Sequence, residues 1–198
     1  MEGSQVFLLI GVENAVRFAQ SSAMIRWRIL SLLLALAVCG GCTDGGKNAA
    51  SPATGPEADP ILPTGAQPKL QTMKLWLGAE EMVAELALTG VQMQTGMMFR
   101  TNLAENAGML FVFGAPYRAS FWMKNCPESI SAAYISTDGV IAEIHHLEKN
   151  DTNAVVAAAD NIQFVLETKD GWFARHNINP GTVIRTDKGS LAETFFRN

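Results

Sequence analysis

A mainly β domain, a single barrel or sandwich of short antiparallel strands with one or two short helices, is what residues 69–198 predict. Three observations carry that prediction. Apolar and polar residues alternate with period two, as in Leu75 and Leu77 against Lys74 and Trp76. Asp138-Gly139 separates two apolar runs as a hairpin turn, where the favoured two-residue turns need positive φ. Helical spacing is confined to two short stretches, which leaves little helix to build with.

Taken in order, Leu75–Leu77 opens the first strand, and Met82, Ala84, Leu86 and Leu88 alternate with Val83, Glu85, Ala87 and Thr89 in the second. Gly90 to Met98 reads as a helix, with Val91, Gln94 and Met98 about one turn apart and Gly96 weakening it. Further strands are expected over 109–113, 120–124, 132–136, 140–147, 162–168, 182–186 and 191–196. Lys188-Gly189 is a second, weaker turn. Trp172 to His176 allows about one helical turn, closed by Asn177, which tolerates the left-handed conformation. A stretch of 130 residues from Lys69 to Asn198 suits one domain with its own core.

The residues before this domain read as an address. Arg26 and Arg28 precede an apolar run from Ile29 to Val38 and then small residues before a cysteine, the layout of an export signal with a processing site. The run is too short for a permanent membrane span. It looks like a bacterial lipoprotein signal over 24–41, with Cys42 acylated as the first mature residue: small Gly41 precedes Cys42, whereas bulkier Val38 precedes Cys39. Met24 supplies a start suited to that signal, so residues 1–23 are either an over-extended start or a translated extension. Residues 42–68, rich in Gly, Ala, Pro, Thr and Ser, form the lipidated end and a tether. The expected place is the periplasm-facing cell envelope, and Thr43 after the cysteine leans towards the outer membrane.

Composition then narrows the function. From Cys42 onward 12 Lys and Arg face 17 Asp and Glu, which argues against nucleic acid as a partner. Once Cys39 leaves with the signal and Cys42 is a thioether, Cys126 is the one remaining thiol, and no disulfide can form within the mature chain. His145 and His146 are neighbours on one strand, point to opposite faces and cannot chelate a metal together. Met93, Met97, Met98, Met109 and Met123 fit core packing better than a soft-metal site. No cofactor is implied, and the motifs of a serine hydrolase, a zinc protease or a phosphate loop are absent from the sequence.

Four ordered blocks carry a family resemblance. Thr95-Gly96-Met97-Met98-Phe99-Arg100, Gly108-Met109-Leu110-Phe111-Val112-Phe113, Ser120-Phe121-Trp122-Met123-Lys124-Asn125 and Phe164-Val165-Leu166-Glu167 with Gly171-Trp172 resemble the signature of domain-of-unknown-function family 192. The resemblance implies a compact mainly β domain, often exported or lipid-anchored, with no established activity. Two departures stand out. Ser131 occupies the place of the family's usual aspartate, and Gln92 and Met93 stand where charged residues are common.

Period two on the third block sends Phe121 and Met123 to one face and Trp122 and Lys124 to the other. With Arg100 and Asn125 nearby, Trp122 and Lys124 could frame a concave site for a small anionic ligand or a glycan, since Arg offers a planar fork and Trp a flat apolar face. Alternatively, Arg100 and Lys124 pair with acids such as Glu105, Glu143 or Glu167. The expected function is a non-catalytic envelope domain, anchored to the membrane by lipid, that binds a small polar ligand, a glycan or a partner protein. A hydrolase with Glu143 or Glu167 as general acid or base, and a scaffold that docks another envelope protein, are the alternatives.

Overall fold

The structure is a computed structural model that describes residues 63–197. The expected signal and Cys42 lie outside the described residues.

Alternating burial builds β1 (Thr72–Leu77) and β2 (Glu80–Ala87), which pair antiparallel with Leu75 opposite Met82. Leu75, Leu77, Met82, Ala84 and Leu86 face the core. The next strand, β3 (Ala107–Tyr117), runs parallel to β2. Parallel neighbours cannot be joined by a tight turn, so residues 88–106 cross over and carry α1 (Gly90–Thr95). Thr89 starts this helix by accepting the Gln92 N–H, while the Gln92 carboxamide oxygen accepts the Thr89 N–H. Gln92 thus serves as a cap rather than an ion-pair member. The helix stops before Met98 because Gly96 turns to positive φ of 47°.

The third block is a strand for two residues only, β4 (Ser120–Phe121), and its partner β7 (Val155–Val156) gives no period-two signal long enough to see in sequence. β5 (Ile130–Ser136) and β6 (Ile141–Leu147) form the hairpin expected at Asp138-Gly139, with Gly139 at φ 76°. β8 (Ile162–Lys169) then inserts between β3 and β5. α2 (Trp172–Arg175) follows, with Asn177 left-handed after it at φ 55°, and β9 (Ile184–Thr186) turns through Gly189 into β10 (Gly189–Ser190).

The last segment corrects the sequence expectation. Residues 191–196 are not a strand but helix α3 (Leu191–Phe196), started by Ser190 and Glu193, which cap each other's backbone.

The main sheet has the order β10-β9-β1-β2-β3-β8-β5-β6. The fold is mainly β and sandwich-like, with few short helices, but the closed barrel does not form. At the join an isolated bridge, Val140 with Val183, and backbone bonds from Ile141 N–H to the Thr182 carbonyl, Gly181 N–H to that of Ile141 and Ile184 N–H to that of Gly139 tie residues 181–184 to the β5–β6 hairpin without forming a ladder. Nor is the sheet wholly antiparallel, because β2 and β3 are parallel.

Two cores pack on the two faces of the central strands. Leu110 and Val112 of β3 and Phe164 and Leu166 of β8 face one core, closed by Trp172, Phe173 and Leu191 of the helices. Met109, Phe111, Phe113 and Val165 face the other, covered by Met97, Met98, Met123 and Cys126 from the crossover and the third block. The second core holds the site.

Candidate functional site

A cavity of about 320 Å³ opens in the second core, between the crossover that carries α1 and the face of the sheet. Its walls come from separate elements. α1 and the turn after it contribute Met93, Thr95, Gly96 and the adjacent methionines; β3 contributes Phe111, Phe113 and Tyr117; Ser120, Phe121 and Trp122 form the side, and Glu167 of β8 reaches it from the sheet. All four sequence blocks therefore meet at one place. The first block bends over the cavity because Gly96 takes positive φ, and a Cβ there would meet the Phe111 ring at 3.3 Å.

Backbone bonds fix the walls to one another. Phe99 N–H donates to the Asn125 carbonyl at 2.7 Å, with both residues left-handed, at φ 61° and 60°. Met123 N–H donates to the Asp151 carbonyl, and Asn150 N–H to that of Cys126. Gln67 donates through its side chain to the carbonyls of Gln92 and Gly96 at the end of α1. Aromatic edges complete the packing: Phe111 and Phe121 meet edge to face at 5.0 Å, and Phe113 and Tyr117 at 4.8 Å.

Glu167 is the unusual member. It sits on a central strand, opposite Met109 on one side and Ala132 on the other, and is 4% exposed. Its Oε2 has no hydrogen-bond partner among the described residues. Burial pushes its carboxyl up to about 8, so it holds its proton at neutral pH. Cys126 also lines the cavity; burial, with a smaller push from the Glu167 charge, raises its thiol to about 12. That thiol is no thiolate nucleophile at physiological pH. Burial likewise pushes the Tyr117 and Tyr134 hydroxyls up, and Tyr134 donates to the Val155 carbonyl at 2.7 Å.

The four residues expected to bind ligand are not gathered in one pocket. Trp122 lines the cavity. Lys124 lies with Nζ 5.3 Å from the Trp122 ring centroid, a cation–π contact, but is not part of the lining. Asn125 serves the turn just described. Arg100 forms a two-pronged ion pair with Glu85, at 2.6 and 3.0 Å, and its guanidinium also donates to the Gln67 and Pro68 carbonyls. Burial alone would raise the Glu85 carboxyl, but the bonds from Arg100 and Leu70 N–H and the nearby positive charges hold it below the usual range. Its partner is thus a β2 glutamate rather than Glu105, Glu143 or Glu167, and Arg100 stitches the entering chain to the sheet.

The remaining candidates are held elsewhere. Glu143, against the upward pull of burial, is kept low by His145 and by the N–H groups of Ala158 and Ala159, which removes it as a general acid at neutral pH. His146 bonds Asp170 and Glu148. Ser131 accepts the Gly171 N–H at 2.9 Å and donates to Asp170, a connecting role that a hydroxyl fills without a second charge. Sequence reasoning named Glu167 as a possible acid or base but did not find the cavity. The available signal was weak, a glutamate directly after the apolar run Phe164-Val165-Leu166 and before the polar Thr168-Lys169-Asp170.

Fold and site define an open, two-core β domain with an internal apolar cavity and one buried carboxyl. The chain belongs to domain-of-unknown-function family 192, described as "Uncharacterized ACR", whose profile matches residues 74–186. Two solved structures are similar. A Sinorhizobium meliloti protein, described provisionally as a transcription regulator, is 26% identical with a TM-score of 0.58, over 61% of this chain and 98% of its own. A protein of unknown function from Novosphingobium aromaticivorans is 29% identical with a TM-score of 0.55, over 73% of this chain and 99% of its own. No curated protein matches the chain.

Proposed function

We propose that this chain is a lipid-anchored envelope protein whose domain is a non-catalytic receptor for a small molecule held in the cavity of the second core. The observation that carries the reading is the convergence of all four family blocks on that cavity. A pocket of this size, mostly apolar with few polar groups, suits a small organic ligand. The signal layout ending at Cys42 supports the envelope address. A small anion, one of the ligands expected from sequence, is disfavoured by the lining, which includes a carboxyl and neither lysine nor arginine.

Catalysis finds little support, because the cavity pairs no nucleophile with a base. Cys126 is held as a thiol and Glu143 is tied into a loop. A hydrolase that holds an anionic substrate would need Arg100, which is committed to Glu85. The regulator description of the Sinorhizobium relative would suggest nucleic acid, but the acidic balance of this chain argues against it.

The reading is tested by a thermal-shift screen of small organic molecules on the full chain, alongside Met93→Trp, which fills the cavity from α1, and Lys124→Ala, which leaves it open. Binding raises the melting temperature by linkage. Hits lost in Met93→Trp and kept in Lys124→Ala are expected. Hits with the reverse pattern would place the ligand outside the cavity and defeat the proposal.

A further inference from the structure

We propose that the cavity takes an organic cation, a small molecule with an ammonium group on an apolar body, and that Glu167 is its counter-ion. This rests on the receptor reading above and names the chemistry of the ligand.

The position of Glu167 is the first argument. A carboxyl on the central strand β8, between β3 and β5, is 4% exposed and lines the cavity, and its Oε2 lacks a partner among the described residues. Leaving a buried polar atom unpaired costs free energy, and more if it is charged. An apolar residue would fill the site without that cost. A ligand donor that enters the cavity removes the penalty, and an ammonium brings both the hydrogen-bond donors and the charge that a carboxylate requires.

The walls favour the same class. Phe111, Phe113, Phe121 and Trp122 line the cavity, and aromatic rings attract cations through their electron-rich faces. Met93, Met97 and Met98 add polarizable, adaptable surface around an apolar body.

Among the described residues no charged group bonds Glu167 Oε2. The titratable groups that feel its charge are Tyr134 of β5 and Cys126 after β4, and Tyr117 of β3 lines the cavity farther along; all three are neutral through the physiological range. A protonated Glu167 could instead donate to a neutral ligand's oxygen. The two cases differ in the sign of their pH dependence. A cation binds the ionised carboxylate, so its affinity climbs with pH until Glu167 has lost its proton. A neutral acceptor binds the protonated acid, so its affinity falls above that point.

The test compares 2-phenylethylamine, which is charged throughout pH 6 to 9, with uncharged 2-phenylethanol. Calorimetric titration uses the full chain in phosphatidylethanolamine nanodiscs. Expected is tighter binding of the amine by about tenfold or more near pH 8, corresponding to about 1.4 kcal/mol. Amine affinity should gain about tenfold per pH unit from pH 6 and level off near the Glu167 value of about 8. Glu167→Gln should abolish the preference for the amine and its pH dependence. If that variant fails to fold, the pH series on the unaltered chain still decides. Equal or tighter binding of the alcohol, weakening above pH 8, would overturn the cation assignment and leave the receptor reading intact. Failure of both probes to bind at millimolar concentration would defeat both.

Discussion

At the scale of single residues, the fold leaves the Glu167 carboxyl without a counter-charge and gives Arg100 one, although Arg100 Nε is also buried without a partner among the described residues. Arg100 and Glu85 are each partly buried, and their two-pronged contact satisfies charge with charge. Glu167 has no such partner, so its raised carboxyl makes stability depend on pH. The folded form binds this proton more tightly than the unfolded chain does. The contribution is full below the usual carboxylate value of 4.5 and is lost as pH rises to about 8, beyond which it is level. Within that window the slope reaches about 1.4 kcal/mol per pH unit. Denaturant unfolding of the chain and of Glu167→Gln at pH 5, 7 and 9 checks this. The glutamine variant is expected to gain stability relative to the parent between pH 5 and 8 and to gain no more by pH 9. A constant difference at all three values would mean that Glu167 is not buried as described.

At the scale of elements, close approach of β3 and β8 sets the tolerance of the site. A Cβ on Gly108 would lie 2.6 Å from the Glu167 carbonyl oxygen and 3.3 Å from Leu166. Gly108→Ala must therefore push apart the two strands that hold Phe111 and Glu167. A loss of about 1–3 kcal/mol is expected by denaturant unfolding, with weakened ligand binding. An unchanged midpoint would show that the strands can separate without cost. The same elements explain what the sequence made legible. Alternation revealed β1 and β2, since each buries one face, whereas β5 and β6 showed only as short runs either side of the Gly139 turn, and Gly189 marked the turn from β9 to β10. It misread 191–196, where a short apolar run fits strand or helix and the cap formed by Ser190 and Glu193 was the deciding clue. It left β7 unseen, because two residues carry no period. Among the candidate site residues Trp122 lines the cavity, but the sequence showed only an aromatic on a short run and not the cavity it borders. The Arg100 pairing was not legible either, because its partner Glu85 lies 15 residues away on another element and only tertiary packing brings them together.

At the scale of the whole molecule, the proposal treats anchor and receptor as separable devices and requires that either can be removed without the other. The cavity is built wholly from residues between Gly90 and Glu167. The anchor is argued from Cys42, where a small residue precedes the cysteine, and against Cys39, where valine does. In a bacterial host, Cys42→Ser is expected to move the protein out of the lipid-modified membrane fraction, whereas Cys39→Ser leaves it there. Fractionation, with the mass of the N-terminal peptide, reads the result. Acyl chains supply membrane affinity in proportion to the CH₂ groups they bury, about 0.8 kcal/mol each, so loss of the modified cysteine removes binding that the acidic domain cannot replace by attraction to anionic lipid. The released Cys42→Ser protein should still bind the cavity ligand with its affinity unchanged. Retention of that variant at the membrane would show that another segment holds the chain. Release accompanied by lost ligand binding would show that the cavity depends on the anchored end, contrary to the proposal.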